Sequence, residues 1–182
     1  MLKLSDNPPS LFPDNTPLTE IPGPWWVAHT RSRFEKAFAH DLLARGVPYF
    51  LPMIHRLTIS GGRKRQLLMP LFNSYVFFAG SEEDRYTALA TDRLCQVIPV
   101  RDQPRLIREL STLQTVLTSR THLDPYPFLA IGHRCRIARG PFQGIEGTVI
   151  RRDNLTRIVL HVSILGQGAA MEIHPDLLEP IQ

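Results

Sequence analysis

Gly140-Pro-Phe-Gln-Gly-Ile-Glu-Gly-Thr-Val-Ile150 is the stretch that decides how the chain is organised. A Gly-Pro turn and two further glycines lead into β-branched residues. Glycines at this density supply positive φ or allow close approach of another strand, as a small closed sheet requires. Arg134-Cys-Arg-Ile-Ala138 precedes the stretch, and short strand-like runs follow at Ile158–Val162, Met171–His174 and near Leu178. No helical period interrupts them. So few residues can bury a core only by closing on themselves, so residues 130–182 are expected to form a small all-β barrel.

Working back from the barrel, Asp124-Pro-Tyr-Pro127 makes 119–129 an extended linker. The residues before it alternate between strands and helices. Trp25-Trp-Val-Ala-His-Thr30 reads as a strand, and Ser32 with Glu35 reads as a capping box opening a helix that Gly46 ends. A short strand at Pro48–Leu51 comes next, followed by Arg56–Ser60 and Arg65–Met69 joined by Gly61-Gly62 as a hairpin. Asn73-Ser-Tyr-Val-Phe-Phe78 is an apolar central strand, Ser81 with Asp84 caps a second helix, and Gln96–Val100 is an edge or terminal strand carrying Pro99. Leu106, Leu110, Leu113 and Leu117 mark a third helix begun near Pro104. The expected fold class is α+β: an antiparallel sheet flanked by helices over 24–118, then the barrel. Residues 1–23 hold five prolines among small and polar residues and read as a mobile extension.

Composition narrows the function. The chain has 182 residues, 43% of them hydrophobic and 21% charged, a globular balance. The net charge of +4 is modest, but its distribution is uneven. Arg56, Arg63, Lys64 and Arg65 surround Gly61-Gly62 with no acid among them. Arg33, Lys36 and His40 share one face of the first helix, while Phe34, Ala37, Phe38 and Leu42 share another. Each basic group is either a solvated surface or a phosphate contact. Cys95 and Cys135 have no paired spacing, and His133-x-Cys135 is no metal signature, so neither a disulfide nor a cofactor is expected. No phosphate-binding glycine loop, nucleophile elbow or clustered metal ligands point to catalysis. The absence of a membrane-length apolar run or a signal-like start makes the cytoplasm the expected compartment, and a non-enzymatic monomer is expected.

The motifs resemble the NusG family, bacterial factors that travel with RNA polymerase. Gly140-Pro-Phe-x-Gly-x-x-Gly147 and Ser163-Ile-Leu-Gly166 are similar to its C-terminal KOW domain, an SH3-like barrel. Trp25-Trp26-Val27 and Pro70-Leu-Phe-Asn-Ser-Tyr-Val-Phe-Phe78 are similar to its N-terminal NGN domain. Leu51-Pro-Met-Ile54, the basic hairpin and Pro70-Leu-Phe72 are closer to the specialised RfaH-type members.

The resemblance implies an elongation or antitermination factor. Its aromatic patch would meet the paired clamp helices of the polymerase's largest subunit, at positions matching Trp26, Phe72 and Tyr75, with Trp25 and Phe50 beside them. A basic face would meet the displaced non-template DNA strand through Arg31, Arg33, Lys36, His40 and Arg93, with Arg63, Lys64 and Arg65 on the hairpin. The barrel would recruit a small-subunit ribosomal protein or Rho through Phe142, Ile145 and Ile164. A ribosome- or RNA-associated KOW protein is the alternative. Because Trp25 and Trp26 are neighbours in a strand, they cannot both face inward, and Trp26 or Tyr75 is the expected exposed aromatic.

RfaH itself has a C-terminal domain that can refold as a helical hairpin. Here a helix through 134–152 would include Pro141, at a cost of about 3 kcal/mol, and Gly140, Gly144 and Gly147, at about 1 kcal/mol each. The second domain is therefore expected to stay β.

Overall fold

The computed structural model describes residues 6–60, 63–119, 121–126, 132–152 and 155–181. The chain divides into two compact units, Met1–Gln103 and Pro104–Gln182.

In the first unit a five-stranded antiparallel sheet is built from β1 (Leu11–Phe12), β2 (Trp25–Thr30), β3 (Tyr49–Phe50), β6 (Tyr75–Ala79) and β7 (Leu94–Pro99). Their order is β1-β3-β6-β2-β7. The apolar strand β6 is central, and Pro99 lies on an edge strand, where its missing amide breaks no interior ladder. Helices α1 (Glu35–Ala44) and α2 (Glu82–Leu89) send Phe38, Ala39, Leu42 and Ala88 into a shared core with Ala28, Val76, Phe78, Tyr49 and Leu51. β4 (Met53–Ser60) and β5 (Arg63–Pro70) form a separate two-stranded ribbon in register from Met53↔Pro70 to Ser60↔Arg63.

Local signals govern several ends. At α2 the Ser81 hydroxyl accepts from the Asp84 amide, while the Asp84 carboxylate accepts from the Ser81 amide at 2.7 Å, completing the expected box. Gly46 ends α1 in the left-handed region, with φ +70°. The start of α1 differs from expectation. Its N-cap is Phe34, with no side-chain cap, and Glu35 accepts a 2.6 Å hydrogen bond from the Ser74 amide. The carboxylate is buried, and there it satisfies a distant backbone donor rather than one in its own turn.

The N-terminal residues also differ from expectation. Residues 6–21 are not a loose extension: β1 pairs with β3, and Leu11, Leu18 and Ile21 are buried. The Leu51 amide donates to the Ser10 carbonyl and the Tyr49 hydroxyl to the Pro9 carbonyl. Prolines flank the two-residue strand rather than interrupt it, so they leave the edge of β3 covered.

In the second unit, α3 (Gln103–Thr118) precedes β8 (Asp124–Tyr126), β9 (His133–Ile137), β10 (Glu146–Arg152), β11 (Leu155–Val162), β12 (Gln167–Glu172) and β13 (Leu178–Pro180). These strands form one antiparallel sheet in the order β13-β9-β10-β11-β12-β8. Three residues of the expected linker are thus a paired edge strand, with Asp124 opposite Ala170, while 127–129 lie outside the described residues. Contacts group α3 from Pro104 onward with this unit, although the sequence reading set it in the preceding domain. Its buried residues are Leu106, Leu110, Leu113 and Val116, so Val116 takes the place expected of Leu117. Residues 134–152 carry β9 and β10 and no α-helix. Among the described residues, no helix is long and apolar enough to cross a membrane.

Candidate functional site

Strand register sorts the predicted aromatic patch onto two faces. Trp25 pairs with Ala79, Val27 with Phe77 and His29 with Tyr75, so these side chains share one face. Trp26 pairs with Phe78 and lies on the other face, packed against the core beneath α1 and α2. Trp26 and Tyr75 therefore do not form one surface.

Burial divides the set further. Trp25, Phe50 and Phe72 are 0%, 2% and 1% exposed. The ends of the Trp25 backbone unit are held by the Gln103 side chain, at 2.8 Å to both N and O, and Phe72 meets Phe77 edge-on at 6.3 Å. These three expected contact residues are core in this structure, a correction to the sequence reading. Tyr75 keeps partial exposure and stacks on His29 with centroids 5.0 Å apart. His29 was not among the sequence candidates, because only the pairing of β2 with β6 brings it to Tyr75.

Three turns meet at the end of β2. Thr30 donates to the Ser74 carbonyl, and Arg31 donates through its amide to the Arg93 carbonyl. Arg31 also reaches Asp92 at 2.7 Å. Arg33, Ser74 and Asp92 all have φ near +60°, a conformation non-glycine residues adopt at a cost, here stabilised by the cross-links.

Of the predicted basic residues, Arg31, Arg33 and Arg93 lie at this junction. Arg33 sits in the loop before α1, exposed, with no hydrogen bond or ion pair among the described residues. Lys36 donates to the Leu68 carbonyl of β5, and burial lowers its pKa from the ordinary lysine value. His40 lies 3.2 Å from the Asp6 carbonyl. Arg93 pairs with Asp41 at 3.0 Å and covers the Phe34 ring. Among the described residues of this junction, Arg33 is presented without a competing partner. Exposed ion pairs such as Arg31–Asp92 contribute little, about 0–1 kcal/mol, so a phosphate can displace the carboxylate. On the hairpin, Lys64 is exposed, and the side chains of Arg63 and Arg65 lie outside the described residues.

In the second unit Phe142, Ile145 and Ile164 are all half-buried. Phe142 and Ile145 sit on the turn closed by the Gly144 amide donating to the Ile137 carbonyl at 2.8 Å. Ile164 lies in the 3-10 turn Ser163–Leu165, which Gly166 ends at φ +64°. Glu109 of α3 holds that turn, accepting from the Ser163 amide at 2.9 Å and its hydroxyl at 2.5 Å, while Arg105 donates to the same hydroxyl at 2.6 Å. Nearby, His161 bonds Thr148 at 2.9 Å, and burial lowers its pKa, with Glu109 opposing and Arg105 reinforcing the shift.

Residues 23–115 match the family model described as "Transcription termination factor nusG". Among solved structures, the chain is similar to one described as "Domain interaction in Thermotoga maritima NusG", at 18% identity and a TM-score of 0.49, covering 87% of this chain and 97% of that one. It is also similar to a chain of an MjSpt4:Spt5 complex, at 17% identity and a TM-score of 0.28, with the same coverages. No curated protein matches.

Proposed function

The chain belongs to the NusG family, and from that premise we propose that it is a transcription elongation or antitermination factor that binds RNA polymerase through its first unit. The observation that carries this reading is the half-exposed Tyr75–His29 stack, beside a loop that presents Arg33. Aromatic residues supply much of the energy of small interfaces, and the stack holds one in place before a partner arrives. On this reading the stack meets the clamp helices of the polymerase's largest subunit, and Arg33, Arg31, Lys36 and the hairpin cations approach the non-template strand. Phe142, Ile145 and Ile164 recruit a small-subunit ribosomal protein or Rho through a KOW-type barrel. Tethering two modest contacts raises effective concentration without requiring either to be tight.

The residues Leu51-Pro-Met-Ile54 and Pro70-Leu-Phe72 support a specialised, RfaH-like role. Residues 130–182 hold six arginines and five acidic residues, a near balance that argues against a ribosomal-RNA module as the main reading.

Binding to an isolated clamp-helix fragment tests the proposal. Retention of the wild-type chain and its loss in Tyr75→Ala support it. Retention on ribosomal RNA alone would overturn it.

A further inference from the structure

A third surface lies on α2, away from the Tyr75 face. Tyr86 and Leu89, one helical turn apart, are 63% and 40% exposed. Arg85 lies against two rings, its Cζ 5.4 Å from the Trp26 centroid and 4.8 Å from that of Tyr86. Glu82 tethers the guanidinium at 2.7 Å. Trp26 comes up beneath it from the helix-covered face of the sheet, partly exposed. The surface thus joins tryptophan, arginine and tyrosine, the types enriched where interface energy concentrates. Their mutual stacking reduces the freedom that a partner would otherwise have to order.

Charge selects the partner. On α2 there are three acidic residues, Glu82, Glu83 and Asp84, and one basic residue, Arg85. Three minus one leaves a net charge of −2 on this helix, in a chain whose total is +4. Such a segment repels phosphate backbones and attracts lysine and arginine.

We propose that the Trp26–Arg85–Tyr86–Leu89 surface docks a basic protein segment, one apolar side chain seating against Tyr86 and Leu89 while flanking cations meet Glu82 and Glu83. This site is separate from the polymerase and DNA surfaces proposed above and does not depend on them.

The test uses the isotope-labelled full chain and three probes: an amphipathic Lys/Leu peptide, its Glu/Leu counterpart and a single-stranded oligonucleotide. The Lys/Leu peptide is expected to shift the amides of 82–89 and the Trp26 indole, more weakly as salt rises. Tyr86→Ala or Leu89→Ala should weaken it about tenfold, a typical loss for truncating a central contact. Both side chains are exposed, so an unchanged melting temperature checks that each variant folds. Glu83→Lys should weaken the Lys/Leu peptide and leave the apolar residues intact. Equal binding of the Glu/Leu peptide, α2 shifts caused by the oligonucleotide, concentration-dependent self-association through α2, or no shift with any probe would each overturn the proposal.

Discussion

His29 and Tyr75 face each other across β2 and β6 with their rings 20° from parallel and 5.0 Å apart. The pair lies two residues from Arg31 in sequence and one residue from Ser74, whose left-handed turn is held by Glu35. An aromatic pair on a sheet surface contributes about 0.2–1 kcal/mol, so either ring can be removed without unfolding the domain.

Tyr75→Ala is therefore expected to lower stability by about 1 kcal/mol or less, and to reduce clamp-helix binding at least tenfold. His29→Ala should weaken binding by less, since it supports the tyrosine. Denaturation curves and titration of the same samples separate the effects. Phe72→Ala is the contrast. That ring is core, and its loss should cost about 3–5 kcal/mol, so reduced binding in that variant would report unfolding.

Arg33 and Asp92 make an opposed pair of predictions for single-stranded DNA. Arg33→Ala should weaken binding and reduce the log–log salt slope by about 0.7, the value for one lost phosphate contact on a single strand. Asp92→Asn keeps a residue tolerant of the left-handed conformation but frees Arg31 of its carboxylate. It should strengthen binding. An unchanged slope in Arg33→Ala would remove this residue from the interface.

Leu18 distinguishes an ordered N-terminal strap from a loose tail. It is 1% exposed, and Leu18→Ala should destabilise the first unit by about 2–5 kcal/mol. Chemical denaturation followed by tryptophan fluorescence reads this unit directly, since both tryptophans are in it. A stability equal to wild type would return residues 6–21 to the status of a tail.

His161 gives the second unit a pH dependence of defined sign. Burial lowers its pKa from the ordinary 6.5. Between 6.5 and that lowered value the unfolded chain binds a proton that the folded chain does not. Stability is thus complete above 6.5 and is lost as pH falls from there toward the folded value. Protection factors of β11 amides, measured against the intrinsic exchange rate at each pH, should fall over that range. His161→Gln, which can still bond Thr148, should flatten the dependence.

Much of the fold was legible because it follows from neighbours in sequence. Gly46 ends a helix wherever the left-handed conformation is needed, and Ser81 with Asp84 caps α2 using groups three residues apart. Pro141 and the glycines around it oppose a helix, and that segment is strand and turn. The residues of the basic loop could also be named in advance, because their charge is a property of composition.

Tertiary structure decided what those residues present to a partner. Alternation alone places Trp25 and Trp26 on opposite faces, but only the register of β2 with β6 shows that Tyr75 joins the Trp25 side while Trp26 goes beneath Arg85. A slip of one residue would reverse that assignment. Glu35 had the spacing of a cap, yet burial against the Ser74 amide gave it a donor 39 residues away. The prolines near the N-terminus suggested disorder, yet an uncovered edge on β3 and three apolar side chains drew that segment into the sheet. The Gly140–Ile150 stretch forms turn and strand from its own residues because its geometry is set within a few bonds. The available face of an aromatic residue depends instead on which strand lies beside it, and that information is distributed across the folded chain.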